Sequence, residues 1–227
     1  MHQNYIIYII YIIFIMLTNF GSFPIQNSPT LSKTTFLSVL AGLSLLVTVG
    51  IAIYSSGKKL KKLQNYTLNL ESQINSLLIT QTLRADQSFE DMGAQSLTAS
   101  VLKGKGRIAV NPLVFYSKEK MELVTILHVG EDLYGHVGIV HGGFLSTIMD
   151  ELLARTVFPS LPEKNGATAY LHVNFRKPCK TDQILIGRAK VNKIERRKGF
   201  VEGSLETLDN EILVDGNALF VSIKKLK

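Results

Sequence analysis

Val140-His141-Gly142-Gly143-Phe144-Leu145-Ser146-Thr147-Ile148-Met149-Asp150-Glu151 is the stretch that decides the fold of this chain. Leu145, Ile148, Met149, Leu152 and Leu153 follow the i, i+3, i+4, i+7, i+8 stripe of a helix buried along one side, which predicts a helix over residues 144–157. Two glycines at its mouth let a ligand approach the backbone closely. Free amides of the first helical turn, with the positive end of the dipole, favour a developing oxyanion there. A glycine loop that merely leads into a buried helix is the plainer reading of the same residues. Asp150 lies mid-helix, so its carboxylate either faces solvent or lines a polar pocket, where it would act as nucleophile or as general base toward water. Glu151 is the natural solvent-facing neighbour. Gly142 and Asp150 are eight positions apart, about 12 Å along a helix axis, too far for both to touch one carbonyl group. Two antiparallel helices from two subunits would bring Asp150 of one beside Gly142 of the other. If both residues are catalytic, the sequence implies a dimer.

Outward from this helix the rhythm is that of strands. Residues 108–116 and 122–129 precede it, rich in Val, Ile, Leu and Phe. Residues 168–176, 183–194, 199–207 and 211–224 follow it, separated by polar turns such as Asp209-Asn210. The glycine-rich residues 135–143 read as a loop. Two strands, a buried helix and four strands give an α+β domain over residues 103–227.

The N-terminal part differs in kind. The chain has 227 residues and a mass of 25.2 kDa, room for one ordinary domain and additional N-terminal material. Its hydrophobic fraction is 46% and its mean hydropathy +0.18, with apolar residues crowded into the first fifty-odd positions. Residues 5–17 form an Ile/Tyr/Phe run too short for a confident span, and residues 1–33 are read as a hydrophobic or targeting segment. Residues 34–57 carry no charge, and 36–54 at 1.5 Å per residue cover about 28 Å, enough to cross a bilayer core in contact with lipid. Lys58, Lys59, Lys61 and Lys62 then keep the C-terminal side in the cytosol or, in an inner mitochondrial membrane, the matrix. From 60 to 83 the positions Leu60, Leu63, Leu70, Ile74, Leu77 and Leu78 mark a helical stalk with one apolar face, available to pair with a second copy. Residues 84–100 read as a linker with some helix, so 58–102 is stalk and linker together.

A net charge of +7 and a pI near 9.4 suit an anionic partner. No aromatic-stacking strand or recognition-helix pattern accompanies the charge, which argues against nucleic acid. The single cysteine, Cys179, excludes an intrachain disulfide and a Cys-based zinc site and is read as structural. His128, His136 and His172 show no metal-ligand spacing with acidic partners.

Three stretches together, Gly138-x-x-His141-Gly142-Gly143 with Asp150, residues 168–178 (TAYLHVNFRKP) and residues 194–203 (IERRKGFVEG), resemble the hotdog-fold acyl-CoA thioesterases of the PaaI and mammalian Them type. The likeness covers about residues 121–227. It implies a curved antiparallel sheet wrapped around a central helix, and two protomers joining their sheets with active sites at the interface, as a homodimer or a dimer of dimers. Carried over, it puts the carbonyl oxygen of an acyl-CoA on the amide of Gly142, with His141 shaping the loop and Gly143 lining it. Asp150 becomes the carboxylate that attacks or activates water, and Thr168 the hydroxyl that orients that water. No cofactor or metal is implied, coenzyme A being part of the substrate. Many PaaI-type enzymes carry an asparagine six residues before the motif's histidine, where this chain has Gly135. Them-type members place glycine there too, and the water- or carbonyl-orienting role is left unassigned.

Arg176, Lys177, Arg196, Arg197 and Lys198 lie at strand ends, where charge-assisted contacts would hold the 3′-phosphate and pyrophosphate of coenzyme A. Solvated strand ends are the plainer reading of each. The sequence therefore points to a membrane-anchored hydrolase of fatty acyl-CoA, addressed to the mitochondrial inner membrane. A hotdog protein that binds acyl groups without turnover is the alternative, and an enoyl-CoA hydratase lacks its Asp/His loop here.

Overall fold

In the computed structural model, which describes residues 33–93 and 96–224, the apolar segment of the sequence lies within one helix, α1 (Lys33–Ser76). The 5–17 run falls outside the described residues. The chain divides into two units, Met1–Gly57 and Lys58–Lys227. In the first, Leu45, Leu46 and Ile53 are 64%, 70% and 68% exposed among the described residues. Residues Ala41–Ser76 have a mean hydropathy of 1.3 in their most apolar window, long and apolar enough to cross a membrane.

The second unit holds the last turns of α1, then α2 (Leu78–Ala85), β1 (Glu90–Asp91), α3 (Leu97–Ser100), β2 (Leu113–Ser117), β3 (Glu122–Val129), β4 (Tyr134–His136), β5 (Ile139–Val140), α4 (Gly142–Val157), β6 (Ala167–Phe175), β7 (Gln183–Glu195), β8 (Lys198–Glu206) and β9 (Ile212–Val221). Seven strands form an antiparallel sheet in the order β1-β2-β3-β7-β8-β9-β6, while β4 and β5 make a separate hairpin. Helix α4 lies along one face of the large sheet. Its stripe is buried as its spacing requires: Leu145, Ile148, Met149, Leu152 and Leu153 pack against Leu123, Leu127, Leu185, Val201, Leu205 and Phe220. Each such side chain contributes about 1.5–3 kcal/mol on burial. The helix sits close to the sheet because the strands beneath it carry glycine. A β-carbon on Gly203 would come 2.5 Å from the Arg188 carbonyl and 3.0 Å from Leu153 Cδ2.

β3 and the start of β7 read as continuous apolar runs rather than alternating ones because both of their faces are covered. Leu123 and Leu127 face α4, whereas Val124, Ile126, Ile184 and Ile186 face the other way, against Leu70, Ile74 and Leu83 of α1 and α2. This corrects the expected stalk. Its lower apolar face is spent on the chain's own sheet, and it is broken at Leu77, whose ψ of 137° ends α1. The buried Thr80 hydroxyl donates to the Ile74 carbonyl at 2.7 Å and closes that break.

Other boundaries moved. The first expected strand, 108–116, is β2 at Leu113–Ser117, with Ile108, Ala109 and Val110 buried ahead of it and Pro112 between. Residues 84–100 hold helix as expected, in α3, and also a short strand, since Glu90 and Asp91 pair with Tyr116 and Phe115. Residues 135–143 contain the β4–β5 hairpin and not only a loop. The Asp209-Asn210 turn forms as expected, with Asn210 at φ 61° and its amide donating to the Thr207 carbonyl at 3.0 Å.

Candidate active site

His141 caps α4 and is held on three sides. Its ring Nδ1 accepts the Gly143 amide at 2.9 Å, its own amide donates to the Leu133 carbonyl at 2.8 Å, and its carbonyl accepts the Leu145 amide at 3.1 Å. An accepting Nδ1 places the proton of the neutral ring on Nε2. Gly143 is glycine for a local reason: a β-carbon there would stand 3.0 Å from the His141 ring. Gly135 has a similar one. A β-carbon on it would meet His141 Cδ2 at 2.9 Å and Cα at 3.0 Å, so the hairpin packs directly against the cap and leaves no space for asparagine.

The cap engages the Gly143 amide and leaves that of Gly142 without an acceptor among the described residues. The Ser146 and Thr147 hydroxyls are turned inward, donating to the carbonyls of Gly142 and Gly143 at 3.1 and 3.0 Å. What remains at the helix mouth are the N–H groups of Gly142 and Phe144, without an acceptor among the described residues at the positive end of the dipole, the geometry an oxyanion requires.

Asp150 lies two turns further on, half-buried, and Thr168 Oγ1 of β6 donates to its Oδ1 at 3.0 Å. The structure thus brings Thr168 to Asp150 and keeps Gly142 at the other end of the same helix. Glu151, expected in solvent, instead accepts the Thr98 amide at 2.9 Å together with the Thr98 hydroxyl, and ties α3 to α4.

β6 is the edge of the sheet and pairs only with β9. Ala167 to Tyr170 are exposed along it. Open grooves of about 540 and 660 Å³ lie elsewhere, the first on the outer sheet face beside Arg188 and Glu202, the second beside Arg196, Arg197 and Lys198.

The basic residues differ in their engagement. Arg176 makes a two-pronged ion pair with Asp215, with Nη2 at 3.1 Å, which raises the pKa of the guanidinium and lowers that of the carboxyl. Lys177 pairs with Glu211, and Arg197 Nε donates to the Ser222 carbonyl at 3.1 Å. Arg196 and Lys198 make no ion pair with a carboxylate among the described residues. Cys179 is buried, and burial pushes its thiol up to about 11, so it is inert. No group of three or more His, Cys, Asp or Glu able to hold a metal occurs among the described residues.

One residue at the site escaped the sequence reading. The ring of Phe175, at the end of β6, stands 3.5 Å from where a β-carbon on Gly142 would lie. The signal was the lone aromatic ahead of Arg176-Lys177-Pro178, which counted only as a strand residue.

Comparison with known proteins bears on the family and the fold. The family model described as Thioesterase superfamily matches residues 137–214, from the β4–β5 hairpin into β9. The acyl-coenzyme A thioesterase THEM4 of Rattus norvegicus is 30% identical over 168 residues, 72% of this chain and 69% of that protein. The uncharacterized mitochondrial membrane protein FMP10 of Saccharomyces cerevisiae is 26% identical over 172 residues, 73% and 70% of the two chains. Among solved structures, a Streptococcus mutans UA159 protein bound to acetyl CoA shares 19% identity and a TM-score of 0.46, covering 53% of this chain and 95% of that one. The chain spans 59%, 42% and 50% of the length of three further curated relatives, about half. With a sheet wrapped on one capped helix, a match through its central elements and a relative aligned over more than two thirds of both chains, this protein belongs to the thioesterase superfamily and has its hotdog fold.

Proposed function

We propose that the chain is a membrane-anchored thioesterase that hydrolyses acyl-CoA as a dimer joined along β6. The observation that carries this reading is the mid-helix carboxylate of Asp150, held by the Thr168 hydroxyl beside an open sheet edge. A nine-residue edge strand with exposed backbone normally acquires a partner or a cover. Antiparallel pairing of two β6 strands about a two-fold axis turns Gly142 of one protomer toward Asp150 of the other. The carbonyl oxygen of the thioester then accepts the Gly142 N–H. Asp150 takes a proton from a water molecule, whose oxygen attacks the carbonyl carbon. The oxyanion collapses, the C–S bond breaks, and the proton passes to the departing sulfur, giving free acid and CoA. Thr168 holds Asp150 in place, and its lone pairs remain available to the water.

Arg176 and Lys177 lie at one end of β6, and the β7–β8 turn with Arg196 and Lys198 at the other, about 26 Å apart in one protomer. In the dimer one group from each protomer comes to the same end, where together they would bind the phosphates of coenzyme A. A dimer rather than a dimer of dimers is favoured on the outer face of β3 and β7, which α1 and α2 already cover.

A mitochondrial membrane address is supported by the FMP10 relative and by the apolar part of α1. We assign it to the inner membrane with a single crossing, a reading supported by the lysines at 58, 59, 61 and 62, which would face the matrix together with the thioesterase domain.

The full chain in detergent, given acyl-CoAs from acetyl to palmitoyl, should release free thiol, and Asp150→Asn should reduce that release at least about a hundredfold while the protein still folds. Binding of acyl-CoA with no thiol release by the wild type would make it a binding protein instead.

A further inference from the structure

Phe175 has the strand phase of Leu171 and Val173, which pack against the α4 core, yet it lies past the start of that helix and finds no core. Its ring is 55% exposed, with Cζ and Cε1 at 3.5 and 3.6 Å from where a β-carbon on Gly142 would stand. That is ordinary contact distance, so the ring flanks the helix-mouth glycine whose amide has no acceptor among the described residues. On the other side of His141, the hairpin presents Tyr134 and Val137, 58% and 86% exposed. The helix mouth is therefore bordered by apolar surface left open.

We infer that Phe175 is a specificity-determining residue: its ring is the wall against which an acyl chain lies while the Gly142 amide holds the thioester carbonyl. This rests on the acyl-CoA reading above. An apolar, half-exposed ring beside the carbonyl site gains contact with a hydrocarbon chain and nothing from an acetyl group, so Phe175 favours longer, unsubstituted acyl chains over short or polar ones. In the proposed dimer the ring also points toward the partner's catalytic carboxylate, which would shield the attacked carbon from bulk water.

The test uses the full chain in detergent, wild type against Phe175→Ala and Phe175→Leu. Two readouts are taken: kcat/KM for thiol release from acetyl-CoA and decanoyl-CoA, and affinity for non-hydrolysable thioether analogues of the same two lengths. For Phe175→Ala the decanoyl-to-acetyl ratio should fall at least about tenfold in both readouts, and Phe175→Leu should restore most of it. Equal losses for both lengths, or no change in either ratio, would overturn the assignment. A wild type that binds the analogues but releases no thiol would defeat the hydrolytic reading alone, and the analogue ratio would still decide the role of Phe175.

Discussion

Thr168 on the edge strand donates its hydroxyl proton to Asp150 Oδ1 across 3.0 Å, which joins the carboxylate of the central helix to the strand at the open side of the sheet. The bond fixes one oxygen and leaves the other to a water molecule. Replacing Thr168 by Val keeps the shape and removes the donor, so kcat should fall by about tenfold with KM little changed, and Thr168→Ser should recover most of the rate. Steady-state kinetics on the three proteins decides it, and a Val variant with wild-type kcat would remove Thr168 from the site.

The packing of α1 and α2 on the outer sheet face makes a claim about stability. Ile74 is 2% exposed against Val124, Ile126 and Ile186, so Ile74→Ala should cost about 2–4 kcal/mol. Leu60 is 58% exposed and its Ala variant should change stability by less than about 0.5 kcal/mol. Thermal unfolding of both variants checks the contrast. A chain cut to residues 103–227 would bare Val124, Ile126, Ile184 and Ile186 and should aggregate, whereas one beginning at Lys58 should remain soluble.

His128 makes stability depend on pH. It is buried, with Nε2 3.1 Å from Asp182 Oδ1 and no partner for Nδ1 among the described residues. Burial lowers its pKa below the ordinary 6.5, with Asp182 opposing. The folded protein thus binds the proton less readily than the unfolded chain. Stability from this group is full above pH 6.5 and is lost as pH falls through the lower, folded value. The thermal midpoint should drop between pH 7.5 and about 5, and His128→Gln should flatten that slope. Parallel slopes for the two proteins would assign the effect elsewhere.

Most of the fold was legible because its decisive elements announce themselves by period. The stripe from Leu145 to Leu153 admits only a helix buried on one side, and residues 122–129 and 183–194 match β3 and β7 to within one residue. The β4–β5 hairpin was not legible, since its strands are too short to show alternation and its glycines read as loop. Leu70 and Ile74 announced an apolar face but not what covers it, because amphipathicity names a buried side and never its neighbour. Likewise Arg176 and Lys177 find their carboxylates 39 and 34 positions later, across a strand pairing that local sequence does not encode. At the candidate site, Gly142 and Asp150 stand out by chemistry and spacing, and His141 by the resemblance. Phe175 does not, because its nearness to Gly142 exists only once β6 has been laid beside α4.

The central claim is that Gly142 of one chain works with Asp150 of another, and mixed dimers test it most directly. Gly142→Pro deletes the amide donor with little strain: Gly142 is the first helical residue, where proline is favoured, and His141 already has the extended φ −62°, ψ 128° that proline requires before it. Neither Gly142→Pro nor Asp150→Asn alone should release thiol from acyl-CoA. Co-expressed in equal amounts they should recover about a quarter of wild-type activity, because half of the dimers are mixed and each mixed dimer has one intact site of two. A co-expressed mixture that forms dimers yet stays as inactive as its parents would place both residues in the same chain's site and contradict the account.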